Sequence, residues 1–146
     1  MKIDTYLFGK VDVSEQALIN FPDGLPGFEQ CKTFALIHEA ADKNPTSFTL
    51  QSVDDAQVAF QIADPTAYGF HYELQLSDEE TSKLKVASPT DLAVMLILFR
   101  RNENSGPIEA SIKAPLIINT ATRIGLQKVI EHVEPNITLS NLARNV

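Results

Sequence analysis

Leu92-Ala93-Val94-Met95-Leu96-Ile97-Leu98-Phe99 is the longest apolar run in the chain, and whether it forms a helix or a strand decides the fold. Composition alone permits a helix. The neighbouring segments read as strands, however, and the polar stretch Asn102-Glu103-Asn104-Ser105-Gly106-Pro107 supplies a turn into the next one. The run is therefore expected to be a central strand buried on both faces.

Working outward from it, Val58, Phe60 and Ile62 alternate with Ala59, Gln61 and Ala63, the period-two pattern of a half-buried strand, which Asp64-Pro65 ends. Tyr72, Leu74 and Leu76 alternate with polar residues and suggest another strand. Thr33 to His38 and Ser47 to Ser52 read as strands on either side of a polar loop at 39–45. At the start of the chain, Ile3, Tyr6 and Phe8 are separated from Val11 and Val13 by Gly9-Lys10, as in two short strands or one bulged strand. Ser14 to Asn20 is brief and mixed. Beyond the central run come Ile108 to Lys113, then Leu116 to Asn119 after the bend Ala114-Pro115, then a last strand over Ile124 to Ile130.

Helical signals are few. Ser77 can cap a helix whose third residue, Glu80, completes a capping box, and Thr81 to Leu84 carry it for about two turns. Leu139, Leu142 and Ala143 have helical spacing after Pro135, but over little length. About nine short strands in 146 residues call for a sheet closed into a barrel or folded on itself, because those arrangements hide strand edges. The expected fold is all-β: a small antiparallel β-barrel-like domain with one or two short helices, with sandwich closure left open. A single domain over 1–146 is expected, with 133–146 set apart as a variable C-terminal tail.

Composition and motifs exclude several functions. Hydrophobic residues at 44% and charged residues at 21% suit a globular chain rather than a disordered one. The central run is far shorter than the roughly 20 residues of a spanning helix, and Met1-Lys2-Ile3-Asp4-Thr5 opens no signal peptide, so a cytoplasmic protein without a membrane partner is expected. Cys31, the only cysteine, rules out an internal disulfide, and with no histidine near it in sequence it reads as a small packed side chain. His38, His71 and His132 are too scattered for a zinc motif. There is no phosphate-binding glycine loop, G-x-S-x-G elbow or H-E-x-x-H. Asp54-Asp55 and Asp78-Glu79-Glu80 are paired carboxylates of the kind found in a turn and at a helix start. Neither catalysis nor a cofactor or metal is expected.

Charge is unevenly spread within the net of −7. Residues 1–80 hold 14 Asp/Glu against 4 Lys, while residues 81–146 hold 5 acids against 8 bases. An acidic first half repels phosphate and attracts a basic protein, so direct nucleic-acid binding is not expected. Beside this charge lies Phe21-Pro22-Asp23-Gly24-Leu25-Pro26-Gly27-Phe28-Glu29. Two prolines and two glycines force a rigid turn there. Its aromatic and apolar content exceeds what a plain connection needs. At least two of Phe21, Leu25 and Phe28 are expected to plug one end of the barrel, leaving the rest as a preformed surface.

These residues resemble the FliW family. The resemblance is carried by Gly9-Lys10-Val11, Phe21 to Glu29, Leu50-Gln51-Ser52-Val53, Phe60-Gln61-Ile62-Ala63-Asp64-Pro65, Asp91-Leu92-Ala93-Val94, Lys113-Ala114-Pro115-Leu116-Ile117-Ile118-Asn119 and Gly125-Leu126-Gln127, in that order. Ser111-Ile112 departs from the family's usual Asn-Leu. The resemblance implies a non-enzymatic β-barrel-like protein that binds flagellin and the RNA-binding translational regulator CsrA. Flagellin export would then free the protein to sequester the regulator and relieve repression of flagellin mRNA. Under that reading, Asp23, Glu29, Asp54, Asp55 and Asp64 are candidates for antagonising the regulator electrostatically. Gly24, Leu25, Pro26, Gly27 and Phe28, with Pro65, Pro115 and Leu116, are candidates for the surface that an amphipathic flagellin helix would meet. A different class, a split-barrel ligand or flavin binder, would instead need a deep pocket with convergent polar or basic groups.

Overall fold

The computed structural model describes residues 1–38, 47–68, 76–99 and 109–130. Its order is β1 (Lys2–Thr5), β2 (Gly9–Asp12), a 3-10 turn (Glu15–Ala17), β3 (Leu18–Asn20), β4 (Thr33–Ile37), β5 (Ser47–Ser52), β6 (Ala59–Ala63), a 3-10 turn (Pro65–Tyr68), α1 (Asp78–Leu84), a 3-10 turn (Pro89–Asp91), β7 (Leu92–Phe99), β8 (Glu109–Ala110), β9 (Leu116–Asn119) and β10 (Ile124–Gln127). The larger sheet runs β6-β5-β4-β3-β10-β9-β7-β8, and a further pairing of β6 with β7 closes it. Seven strands thus form a barrel, with β8 as a short flap on β7. Closure is what separates this fold from a sandwich.

β7 closes the barrel because it is long enough to serve two neighbours in succession. Leu92 to Met95 pair with β9 and Leu96 to Leu98 with β6. The run is a strand, as expected, and its middle is buried on both faces: Met95 faces the barrel core, and its neighbour Leu96, on the opposite face, is 2% exposed. The flanking residues are half-buried, and Phe99 at the end is 42% exposed. The other seam is a parallel contact between β3 and β10, registered at Asn20 and Ile124.

Ile19, Phe21, Leu25, Cys31, Phe34, Leu50, Ile62, Met95, Leu116 and Ile118 fill the barrel. Burying one such large apolar side chain is worth about 1.5–3 kcal/mol. β4 alternates, sending Phe34 and Leu36 to this core and Ala35 and Ile37 to a second, smaller cluster with Ile3 and Val13. That second cluster fixes the β1–β2 hairpin across the outside of the barrel. α1 starts with the anticipated capping box, in which Glu80 N–H donates to Ser77 Oγ and Ser77 N–H to Glu80 Oε1.

Some local readings change. Tyr6 and Phe8 lie in the turn of the opening hairpin, not in its strands. Of the expected 108–113 strand, Glu109–Ala110 is the part in a strand among the described residues, and Ile108 falls outside them. Regular pairing in the last strand stops at Gln127, although Lys128 and Ile130 still donate backbone hydrogen bonds to Pro115 and Lys113. Leu76 lies in no strand; the rest of that expected strand, the 39–45 loop, the 102–107 turn, the helical spacing after Pro135 and the 133–146 tail fall outside the described residues.

Gly125 marks the tightest point of the seam. A Cβ there would stand 2.7 Å from Phe21 Cε2 and 3.3 Å from Ile19 Cγ2. Gly125→Ala is expected to destabilise the barrel by about 1–3 kcal/mol in urea unfolding, with part of the loss recovered on adding Phe21→Leu.

Candidate protein-binding surface

The Phe21 to Glu29 loop is tied down at both ends and exposed in its middle. Phe21 N–H donates to Lys32 O at 2.7 Å, Gly24 N–H to Phe21 O at 2.8 Å and Phe28 N–H to Leu25 O at 2.7 Å. Phe21 and Leu25 are buried; the Phe21 ring meets Phe34 edge-on at 5.4 Å, and half-buried Phe28 meets Phe60 edge-on at 5.2 Å. Pro26 and Gly27 stand exposed between these anchors. Gly24 adopts φ +67°, and a Cβ on it would lie 2.6 Å from the Glu29 Cα, so only glycine fits.

The acidic candidates divide by position. Asp54 Oδ2 accepts from the Lys32 and Thr33 amides at 2.9 and 3.1 Å, clipping the β5–β6 turn to the exit of the loop. Asp55 accepts from Gln57 N–H within that turn, and buried Gln51 Nε2 braces it through Ser52 O, Ala56 O and Val58 O. The Glu29 carboxylate accepts from its own backbone N–H and from that of Gly27, which holds its pKa below the ordinary 4.5. Asp23 pairs with Lys83 of α1 at 2.9 Å. Asp23, Glu29, Asp54 and Asp55 are exposed and outnumber Lys32 and Lys83 beside them, which leaves this end of the barrel with an acidic excess.

Asp64 sits at the far end of β6, where it accepts from Thr66 N–H and Oγ1–H. Gly24, Leu25, Pro65, Pro115 and Leu116 are buried, so they shape the surface from beneath. The structure therefore brings the 21–29 loop and the Asp54-Asp55 turn together, and sets Asp64-Pro65 and Pro115-Leu116 apart from them.

Sequence reading missed a second feature. Tyr6, Leu7 and Phe8 form the hairpin tip and are 54%, 45% and 52% exposed. Three large apolar residues in a row cannot all face one side of a strand, and that break in alternation was the available signal. Between this tip and the barrel lies a groove of about 660 Å³, lined by Phe8, Val11, Ile37, Phe48, Thr49 and Gln61, with His38 stacked edge-on against Phe48 and Ser47 completing the rim. Among the described residues no lysine or arginine lines it. Among the described residues no helix is long and apolar enough to cross a membrane, and no group of three His, Cys, Asp or Glu side chains is placed to hold a metal.

The family model described as "FliW protein" matches residues 2–140. The chain belongs to the FliW family. The flagellar assembly factor FliW of Azoarcus sp. (strain BH72) is 46% identical over 98% of this chain and 100% of its own length. Its counterpart in Chromobacterium violaceum is 36% identical over 88% of this chain and 92% of its own. A solved structure titled as the crystal structure of the flagellar assembly factor FliW superposes with a TM-score of 0.77 at 28% identity, covering 92% of this chain and 91% of that one.

Two outcomes are expected. Gly24→Ala should cost about 2 kcal/mol or more in urea unfolding, since it adds positive-φ strain to a backbone clash. The second concerns Glu80, which joins Lys128 Nζ at 2.7 Å and so ties α1 to the chain after β10. Burial pushes the Glu80 carboxyl up, but hydrogen bonds from Lys128 and the Ser77 amide outweigh it, and its pKa falls below 4.5. A depressed folded pKa means that the stabilisation is complete above the unfolded value and is lost as pH falls through the folded one. Stability measured from pH 7 down to about 3 should therefore drop less steeply in Glu80→Gln than in the parent.

Proposed function

We propose that this protein is a non-enzymatic, cytoplasmic flagellar assembly factor that binds flagellin and a CsrA-type translational regulator in mutually exclusive fashion. Flagellin leaving the cell would free it to capture the regulator and release flagellin mRNA for translation. The observation that carries this reading is the likeness, over 98% of the chain, to a relative named as a flagellar assembly factor.

The charged end of the barrel supports the regulatory half of the reading. A protein that binds RNA presents a basic surface, and an acidic body docked beside it repels phosphate without having to cover the RNA site. Asp23, Glu29, Asp54 and Asp55 supply that field from a rigid platform, because local hydrogen bonds or an ion pair hold each carboxylate in place. Rigid placement matters because little ordering entropy then remains to be lost on docking.

A pull-down with the tagged chain from motile cells should recover flagellin and the regulator, and added flagellin should displace the regulator. Recovery of neither would remove the reading. Combining Asp23→Asn, Glu29→Gln and Asp55→Asn should weaken displacement of RNA from the regulator roughly tenfold at low salt and flatten its salt dependence. An unchanged salt dependence would sink the electrostatic part alone.

A further inference from the structure

Among the described residues, one outer edge of the β1–β2 hairpin makes a backbone hydrogen bond and the other makes none. Met1 N donates to Val13 O at 3.1 Å and Val13 N to Met1 O at 2.8 Å, which makes Met1 and Val13 a hydrogen-bonded pair. Bonded and non-bonded pairs alternate along an antiparallel ladder. With Ile3 opposite Val11 and Asp4 opposite Lys10, the N–H and C=O groups of Lys10 and Asp12 must point away from β1. On the other side of the hairpin, the Tyr6 N–H is taken by Ala56 O. The open edge of β2 borders the groove, where Val11 and Phe8 form one wall and Ile37, Thr49 and Gln61 lie in register across β4, β5 and β6.

From this we propose that β2 is a strand-addition site, and that its occupant is an extended segment of a partner protein, docked antiparallel, reading basic–apolar–acidic. The apolar residue would lie opposite Val11 and face the groove. Val11 is half-buried toward the barrel, and residues directly opposite one another in a sheet share a face. The acidic residue would oppose Lys10 and the basic one Asp12, both of which are exposed; the Asp12 carboxylate already accepts from the Met1 ammonium through Oδ1 at 3.2 Å, so a basic residue there would share it and Lys10 carries most of the charge selection. Opposite charges placed so favour pairing, while like charges disfavour it.

Sterics choose a bare segment over a second copy of this chain. Two copies joined through β2 would set Val11 against its equivalent on one face of the joint sheet, so each would bring its own barrel beneath that face. The groove floor already occupies that space. The run of Tyr6, Leu7 and Phe8 at the tip, three of the six large hydrophobics exposed among the described residues, further marks the hairpin as an interaction surface. The interface is small, so the affinity should be that of a weak, transient contact.

The probe is a fluorescein-labelled peptide, Ser-Val-Lys-Val-Glu-Val-Ser, followed by anisotropy. It contains nothing taken from flagellin or the regulator, so its binding is judged apart from the proposed function. Binding is expected at submillimolar concentration, roughly fivefold tighter than for the all-glutamate or all-lysine versions of its charged positions. N-methylation of the Lys and Glu amides should abolish binding, whereas N-methylation of the Val between them should be tolerated, because only the former donate to β2. Lys10→Glu should move the preference to the all-lysine peptide, a reversal that mere loss of structure would not produce. No binding at millimolar peptide, indifference to the N-methyl pattern, or an unmoved preference would each overturn the proposal. So would sedimentation showing that the chain dimerises through β2.

Discussion

The contact between the Phe21 ring and the backbone of Gly125 is the constraint on which the rest of the structure turns. At the β3–β10 seam a single registered pair, Asn20 with Ile124, closes the barrel, and there is little ladder to hold it. Phe21 compensates by lying flush against Gly125, where a methyl group would come within 2.7 Å of the ring. Its other side is held by Phe34, which belongs to the opposite flank of the seam. The residue that starts the rigid loop is thus also the residue that seals the wall.

This double duty explains why the loop is both apolar and exposed. A loop that only joined two strands would need no phenylalanines. Here Phe21, Leu25 and Phe28 are anchors, and their burial lifts Pro26-Gly27 and the surrounding carboxylates into solvent in one defined shape. Each of those carboxylates also completes a turn or an ion pair, so the negative surface and the local architecture use the same atoms. Truncation to alanine would alter both at once, whereas isosteric amides remove the charge and keep an acceptor oxygen, which makes them the informative substitutions.

Much of this could be read from the chain. The alternation of Val58 to Ala63, the Ser77 and Glu80 capping pair and the Pro-Gly loop each specify local structure through short-range chemistry, and each appears where expected. What could not be read depends on long-range geometry. Leu92 to Phe99 reads as a doubly buried strand and is one at Met95 and Leu96, but that it also closes the barrel by serving two partners in succession is set by long-range pairing. Pro115 and Leu116 lie at a proline bend that suggests exposure, but Pro115 is buried just before β9 and Leu116 is buried as the first residue of that strand. Tyr6 and Phe8 were assigned to strands by hydrophobicity, although the Thr5 side chain, which accepts from Phe8 N–H and donates to Gly9 O, folds them into a turn. The groove below that turn is built from four separate segments, and no window of sequence contains it.

The seam also sets an order of events in the cell. Because it joins Asn20 to Ile124, the barrel cannot close until nearly all of the described chain has left the ribosome. Phe21 has no Gly125 to rest on before then, whereas the hydrogen bonds inside the loop, Gly24 N–H to Phe21 O and Phe28 N–H to Leu25 O, are local and need no late strand. What the strand order delays is the seating of the loop on a closed wall.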